Sequence, residues 1–594
     1  MLEAFRRFLS RPPVQTGITL AVSAAIRSYQ PSLVDRSRND QALIVAGSMA
    51  SGYVAGNLGE RAIEATCAAT GIDRAIIAAA VAGAAAAAMT VADERAPVLN
   101  TLGRVASATA ITSGALSLRR RRRGRGPLRA AVETAGIGAV VAISLRREVR
   151  AYSKNGRRPP PSLAIASSLA AGTGIAVAAG ALVAVERASA AAAVDLLTST
   201  GSGRRRAPTF FAHVAIACAF AAGAKLCARR VLRLLDAAGD HIEPGYASPP
   251  TSRLVSGGAD SVVAFADLGV QGRRFVSEVP TPEAIDIVLG TADAIEPIRL
   301  YIGVDSAPGI DERVELAMME IRRTHALDRS LVIIGSPAGT GYLNHIPIEA
   351  AEYFMRGDVA SVTIQYGKRP SLLSVDRVGA AQQQHLALVE EISKELSRRP
   401  REGWPRVVLY GESLGAQTSQ DAFPNPGYEA LVERSIQNAL WVGTPYPAKF
   451  RRAVLSANPD DSRFGRSATI DEHDAATQFT FLDHHDDPVT LFNLSIFHRR
   501  PPWLGPPSKR PPNISRTQHW VPAVTFWQTV FDTKNAARVV PGDFNAFGHD
   551  YRADLAEFVR AAYHIPDVTD EQMVSVERAL RRSEIERAAR IEPG

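Results

Sequence analysis

The chain has 594 residues, with 68 Lys and Arg against 60 Asp and Glu for a formal charge of +8, and only 3 Cys. That length is too great for a single hydrophobic core, and Cys67, Cys218 and Cys227, with no CxxC pair among them, exclude a disulfide framework and a thiolate metal centre. The basic residues cluster at Arg119 to Arg123, Arg146 to Arg158 and Arg204 to Arg206, between apolar segments poor in stacking aromatics. Charge so placed flanks a bilayer and does not grip phosphates, so nucleic acid is excluded as a partner.

Up to about residue 240 the composition is Ala, Gly, Val and Ile with few aromatics. Residues 41–59, 73–91, 162–185 and 209–228 are long enough and apolar enough to cross a membrane, 103–118 and 129–145 are shorter, and 14–30 is marginal; about six spans are expected. Small residues, as in Ala79 to Ala88, permit close helix packing. Basic loops stand on both sides of 129–145, so the positive-inside rule leaves the orientation open. Residues 1–238 are therefore read as an all-α multi-span transmembrane domain, followed by a turn-rich linker over 239–254.

From residue 255 to 566 the pattern changes to strands alternating with helices, the mark of a mostly parallel, doubly wound sheet. Strands are predicted over 297–303, 330–335, 360–365, 438–443 and 478–483, and helices over 311–323, 346–355 and 379–397. Arg406 to Gln417 read as a buried strand running into Gly411-Glu-Ser-Leu-Gly415 and then a helix. This is a nucleophile elbow, with Ser413 at the tip of a strained turn and flanking glycines where strand and helix cross too closely for side chains.

A serine nucleophile needs a base and a group to orient that base, and in this arrangement the chain order is Ser, acid, His. His549, in Gly548-His549-Asp550-Tyr551 on a late loop, is the candidate base. Asp487 is the candidate acid, because Pro488 and Val489 turn the chain back and fix the carboxylate; Asp486 is the runner-up and Asp483 stands behind it. The amide of Leu414 and those of Gly339 and Thr340, in the loop after the 330–335 strand, are candidate oxyanion donors. No residue pattern calls for a cofactor or a metal; the run His484 to Asp487 splits between opposite faces of a strand. The Pro-rich stretch Arg499 to Pro512, with Trp503 and Leu504, reads as a surface loop, and as a lid or membrane-leaning segment in the second place. The tail 567–594 reads as a charged helix opened by a Thr569-x-x-Gln572 capping box.

Taken together, Leu268 to Phe275, Pro297 to Gly303, Gly339 to Gly341, Gln365-Tyr366, Gly411 to Gly415, Asp487 to Val489 and Gly548 to Tyr551 resemble a bacterial family of membrane-anchored α/β-hydrolases, built as a multi-span N-terminal domain and a C-terminal catalytic domain. Tyr342 stands where that family has Trp, a departure that bears on pocket shape. The resemblance implies a serine hydrolase with Ser413, Asp487 and His549 as its triad. The expectation is therefore a multi-pass membrane protein acting on an ester or lipid-like small molecule at the bilayer. The rival is a catalytically silent hydrolase-fold module, binding or regulatory, on a membrane scaffold. The oligomeric state and the substrate are not legible.

Overall fold

The computed structural model describes residues 2–91, 97–121, 139–151, 160–198, 225, 230, 242–369, 374–457, 461–536 and 539–591. Two compact units emerge: Met1–Ala222 with Phe492–Asn535, and Gly223–Leu491 with Ala536–Gly594.

The second unit is built on seven parallel strands: β1 Ile298–Ile302, β2 Leu331–Ser336, β3 Val359–Ile364, β4 Arg406–Glu412, β5 Asn438–Val442, β6 Phe464–Ser467 and β7 Phe479–Leu482. Their order across the sheet is β1-β3-β2-β4-β5-β7-β6. Strands covered on both faces are largely apolar, and β1, β2, β3 and β5 are buried at every position, Arg299 of β1 being paired with Glu352 at 2.6 Å. Stacked rings thicken the far half of the sheet, with Trp441 lying 5.1 Å from Phe481 and Phe464 the same distance from Phe479.

The chain runs from β2 outward to β3 and returns to β4, so the order reverses between β2 and β4, which pair directly with Ser336 opposite Gly411. Reversal opens a crevice at the carboxyl ends of these two strands, and the elbow and the glycine-rich loop both leave the sheet there. The predicted strands all form. β6 went unpredicted because Phe-Gly-Arg-Ser offers no apolar run.

Helix Asp570–Ile591 returns to this unit and buries Val576 and Leu580 completely. Its capping box closes reciprocally, Thr569 N–H donating to Gln572 Oε1 at 3.1 Å and Gln572 N–H to Thr569 Oγ1 at 3.2 Å.

The first unit contains helices Pro12–Arg27, Arg38–Thr70, Arg74–Val91, Pro97–Arg121 and Ser162–Thr198. Ser37 caps the second helix through the Asp40 amide, and Gly71, at φ 69°, ends it in the left-handed conformation that glycine adopts freely. Gly52 and Gly56, one turn apart, let this helix meet Pro12–Arg27 so closely that a Cβ would stand 2.7 Å from Leu20 O and 2.9 Å from Thr16 O. The interior mixes apolar residues such as Ile44, Val45 and Ile63 with polar ones. Glu60 is buried and accepts hydrogen bonds from Thr16 at 3.0 Å and Ser113 at 3.0 Å, with Arg74 3.3 Å away. The exterior is apolar, with Leu58, Ile76, Ile111, Ile143 and Leu163 exposed.

Of the expected spans, two described helices, Arg38–Thr70 and Ser162–Ala181, have the length and hydropathy to cross a membrane, and Arg74–Met89 is apolar but shorter. The expected span 209–228 apart from Lys225, residues 129–138 of the expected span 129–145, Arg122, Arg123, residues 152–158, Arg204 to Arg206, Cys218 and Cys227 lie outside the described residues.

Residues 492–535 interrupt the sequence of the sheet unit and join the helices. The Pro-rich stretch forms only short turns at Pro502–Leu504 and Pro507–Lys509, but Trp503 and Leu504 are buried, where a surface loop was expected. Helix Val524–Asn535 follows, and its polar side is an interior surface. Asp532 accepts from Ser32 Oγ at 3.0 Å, Leu33 N at 3.1 Å and Arg36 Nε at 3.2 Å. Gln528 donates to the Ser28 and Gln30 carbonyls, and Lys534 and Asn535 bond to Asp40.

Candidate active site

Ser413 sits between β4 and helix Leu414–Asp421 with φ 55° and ψ −124°, a conformation that costs a non-glycine residue about 1–3 kcal/mol. The surrounding structure enforces it. The Ser413 amide donates to Val442 O at 2.9 Å, and Gly415 packs against the Ser336 and Pro337 carbonyls with no room for a Cβ. Leu414 opens the helix, so its N–H has no intrahelical acceptor and lies beside the serine.

His549 Nδ1 meets Asp487 Oδ2 at 2.7 Å. The same carboxylate oxygen accepts from the Tyr551 hydroxyl at 2.6 Å, while Oδ1 takes the Val489 amide at 2.8 Å, which is the work of the Asp-Pro-Val turn. Asp487 is fully buried and all its contacts are donors. Asp486 is occupied elsewhere, accepting the Gly548 amide at 3.0 Å and so holding the histidine loop; burial raises its carboxyl above the ordinary value. Asp483 is committed to structure through Arg451, Arg466 and the Thr444 amide.

Burial pushes the His549 imidazole down, but the Asp487 carboxylate at Nδ1, aided by Glu412 and Asp483, more than reverses this and leaves it above its ordinary value. Burial and Asp487 together hold the Tyr551 phenol far above its ordinary value, so it remains a donor. Gly443 makes room for the ring, since a Cβ there would lie 2.6 Å from His549 Cε1. His484 stacks on Tyr551 with ring centres 4.0 Å apart and bridges Gly548 O and Asp554, bracing the same loop.

Ser413 and His549 line one cavity of about 210 Å³. No hydrogen bond joins the two side chains among the described residues, a separation common before substrate is bound. Ser336, Ala338 and Tyr342 bring the glycine-rich loop to the cavity wall, whereas Gly339 and Thr340 do not reach it. Gly339 packs against Ser374 and the Arg369 carbonyl, and Thr340 gives its carbonyl to Gln365 at 3.1 Å. Tyr410, Glu412, Arg552 and Glu584 complete much of the wall. Glu584 comes from the C-terminal helix, whose charged sequence carries no sign of that placement.

Among the described residues, Glu278, His345 and Glu349 converge closely enough to ligate a metal. Arg587 already meets Glu278 at 2.6 Å and Glu349 at 2.7 Å, so a guanidinium fills the role a cation would have. Burial and the neighbouring Arg587 and Arg299 push His345 well below its ordinary value.

No curated protein and no solved structure matches the chain. Two family models do: residues 298–576 match one described as "Alpha/beta-hydrolase family", and residues 30–280 match its companion, "Alpha/beta-hydrolase family N-terminus". The parallel seven-stranded sheet with its elbow serine lies within the first of these, the two matches together span most of the chain, and it belongs to an α/β-hydrolase family.

Proposed function

We propose that the protein is a serine hydrolase that cleaves or transfers an ester-like acyl group. One observation carries the reading: the His549 imidazole, anchored to Asp487 at 2.7 Å, opens onto the same cavity as the strained Ser413. Ser413 Oγ attacks the carbonyl carbon while its proton passes to His549 Nε2, and Asp487 keeps Nδ1 protonated and stabilises the imidazolium. Negative charge collects on the carbonyl oxygen, where the Leu414 amide supplies a donor. The leaving oxygen departs with the proton from His549, and water repeats the sequence on the acyl-serine to release the acid. None of Gly339, Thr340 and Leu414 lines the cavity, and the oxyanion part of this reading rests on Leu414 because its amide opens the helix directly after Ser413.

The helical unit is read as a multi-pass membrane anchor, which makes an ester in or near the bilayer the natural substrate. Its support is two helices long and apolar enough to cross a membrane, together with exposed Leu58 and Leu163 and buried Glu60 and Asp532. Retention in the membrane pellet after alkaline carbonate extraction checks this, and release into the supernatant refutes it.

A fluorophosphonate probe should label the wild type, and neither Ser413→Ala nor His549→Ala. Undiminished labelling of Ser413→Ala removes the serine from the mechanism. The rival, a silent binding module, draws on the missing Ser413–His549 hydrogen bond, and it is the reading left if folded wild type takes no label.

A further inference from the structure

The cavity beside Ser413 carries an unusual charge balance. Arg552 is the cation in its wall, and every N–H of that guanidinium is engaged. Nε and Nη2 reach Asp550 at 2.8 and 2.7 Å, Nη1 reaches both Glu584 oxygens at 2.7 Å, and the Val540 and Asp543 carbonyls take what remains. A guanidinium with two carboxylates on it cannot also receive a carboxylate or phosphate from a ligand. Glu412, the residue before the nucleophile, lines the same cavity without a cation. Its Oε2 accepts from Asn344 Nδ2 at 2.7 Å and from the Tyr410 hydroxyl at 2.9 Å, while Oε1 has no hydrogen-bond partner among the described residues. Glu412 is partly exposed, and its Oε1 is not enclosed by the packing. Two neutral donors fix one oxygen of Glu412 and leave the other for whatever enters.

From this arrangement we propose, resting on the serine-hydrolase reading, that Glu412 is a specificity residue selecting substrates with a cationic group, such as an ammonium, close to the scissile carbonyl. The reaction remains plain hydrolysis: water adds across the acyl bond, giving the acid and the leaving alcohol or thiol. Three carboxylates facing one guanidinium also disfavour substrates with an anionic group at that position.

The test uses the full chain and two thioesters of equal shape, acetylthiocholine and its uncharged isostere 3,3-dimethylbutyl thioacetate, both followed by the thiol released. Wild type should prefer the cation by about tenfold or more in kcat/KM, the size of one well-placed charge contact. In Glu412→Gln that ratio should fall toward unity, and in Glu412→Asp it should take an intermediate value. A wild-type ratio of one or less, or a ratio unchanged in folded Glu412→Gln, overturns the proposal. A neutral fluorophosphonate run in parallel separates the two failures. Labelling at Ser413 with no cation preference sinks the specificity alone, whereas absence of labelling sinks the hydrolase reading beneath it.

Discussion

Buried polarity does different work in the two units. In the sheet unit the strands are largely apolar, with Arg299 of β1 paired to Glu352 at 2.6 Å in the interior, and the charged groups of the candidate site stand at the carboxyl ends, where Asp487, His549 and Tyr551 converge. In the helical unit buried polar groups run through the packing itself: Glu60 joins two further helices through Thr16 and Ser113, and Asp532 holds the insert to Ser32 and Arg36. On the membrane-anchor reading proposed above, helices facing lipid gain little from hiding hydrophobic surface from one another, and close approach at Gly52 and Gly56 with hydrogen bonds between polar side chains would hold them. Buried polarity is thus cohesive in both units, and in the sheet unit it also gathers into the candidate site at the strand ends.

The strongest way to break that contrast is to remove one carboxylate from each unit. Asp487→Asn should lower kcat by roughly 10⁴, about 5 kcal/mol of barrier, because the imidazole loses its tautomeric anchor. Thermal unfolding should change far less. Asp532→Ala should do the reverse, leaving Arg36 buried without its carboxylate at a cost of about 3–5 kcal/mol. Protease sensitivity and thermal unfolding of the detergent-solubilised chain would register it, while the surviving folded fraction still takes a fluorophosphonate. A variant of Asp487 that unfolds as readily as one of Asp532 would end the distinction.

Much of the sheet unit is legible because parallel strands must be continuous apolar runs and because an elbow needs glycines at fixed offsets. Leu331 to Ser336 and Val407 to Tyr410 announce themselves in this way. The Asp-Pro-Val turn also distinguishes Asp487 from its neighbour, since the Val489 amide it presents holds the carboxylate. Tyr551 and Glu584 are not legible, because nothing local marks a tyrosine that will donate to an acid 64 positions earlier, or a helical glutamate that will face a cavity. The insert is hidden for a related reason. Gln528, Asp532, Lys534 and Asn535 look like the wet side of a helix until Gln30, Ser32 and Asp40, nearly five hundred positions away, cover them.

A smaller effect sharpens the chemical side. Gly443 has φ 57°, and an alanine methyl would lie 2.6 Å from His549 Cε1. Gly443→Ala should therefore cost about 1–3 kcal/mol, shared between strain and a displaced imidazole. The expected reading is a fall in kcat of about tenfold to a hundredfold with KM changed less. If stability drops while kcat holds, the ring has shifted at no chemical cost, and Gly443 is only a packing residue.

The subtlest test is a pH profile. His549 must be neutral to accept the serine proton, and Asp487 lifts its pKa above the ordinary histidine value, so the acid limb of kcat/KM should inflect above about 6.5. The linked stability runs the opposite way. A group whose folded pKa is raised contributes its full stabilisation below the unfolded value near 6.5 and loses it as pH climbs through the folded pKa. Activity should therefore rise across the same interval in which this contribution to stability fades. In Asp487→Asn, with the largest upward influence gone and burial unopposed, the limb in the residual activity should move toward lower pH. A limb that stays in place in that variant would mean that a group other than His549 governs the ionisation.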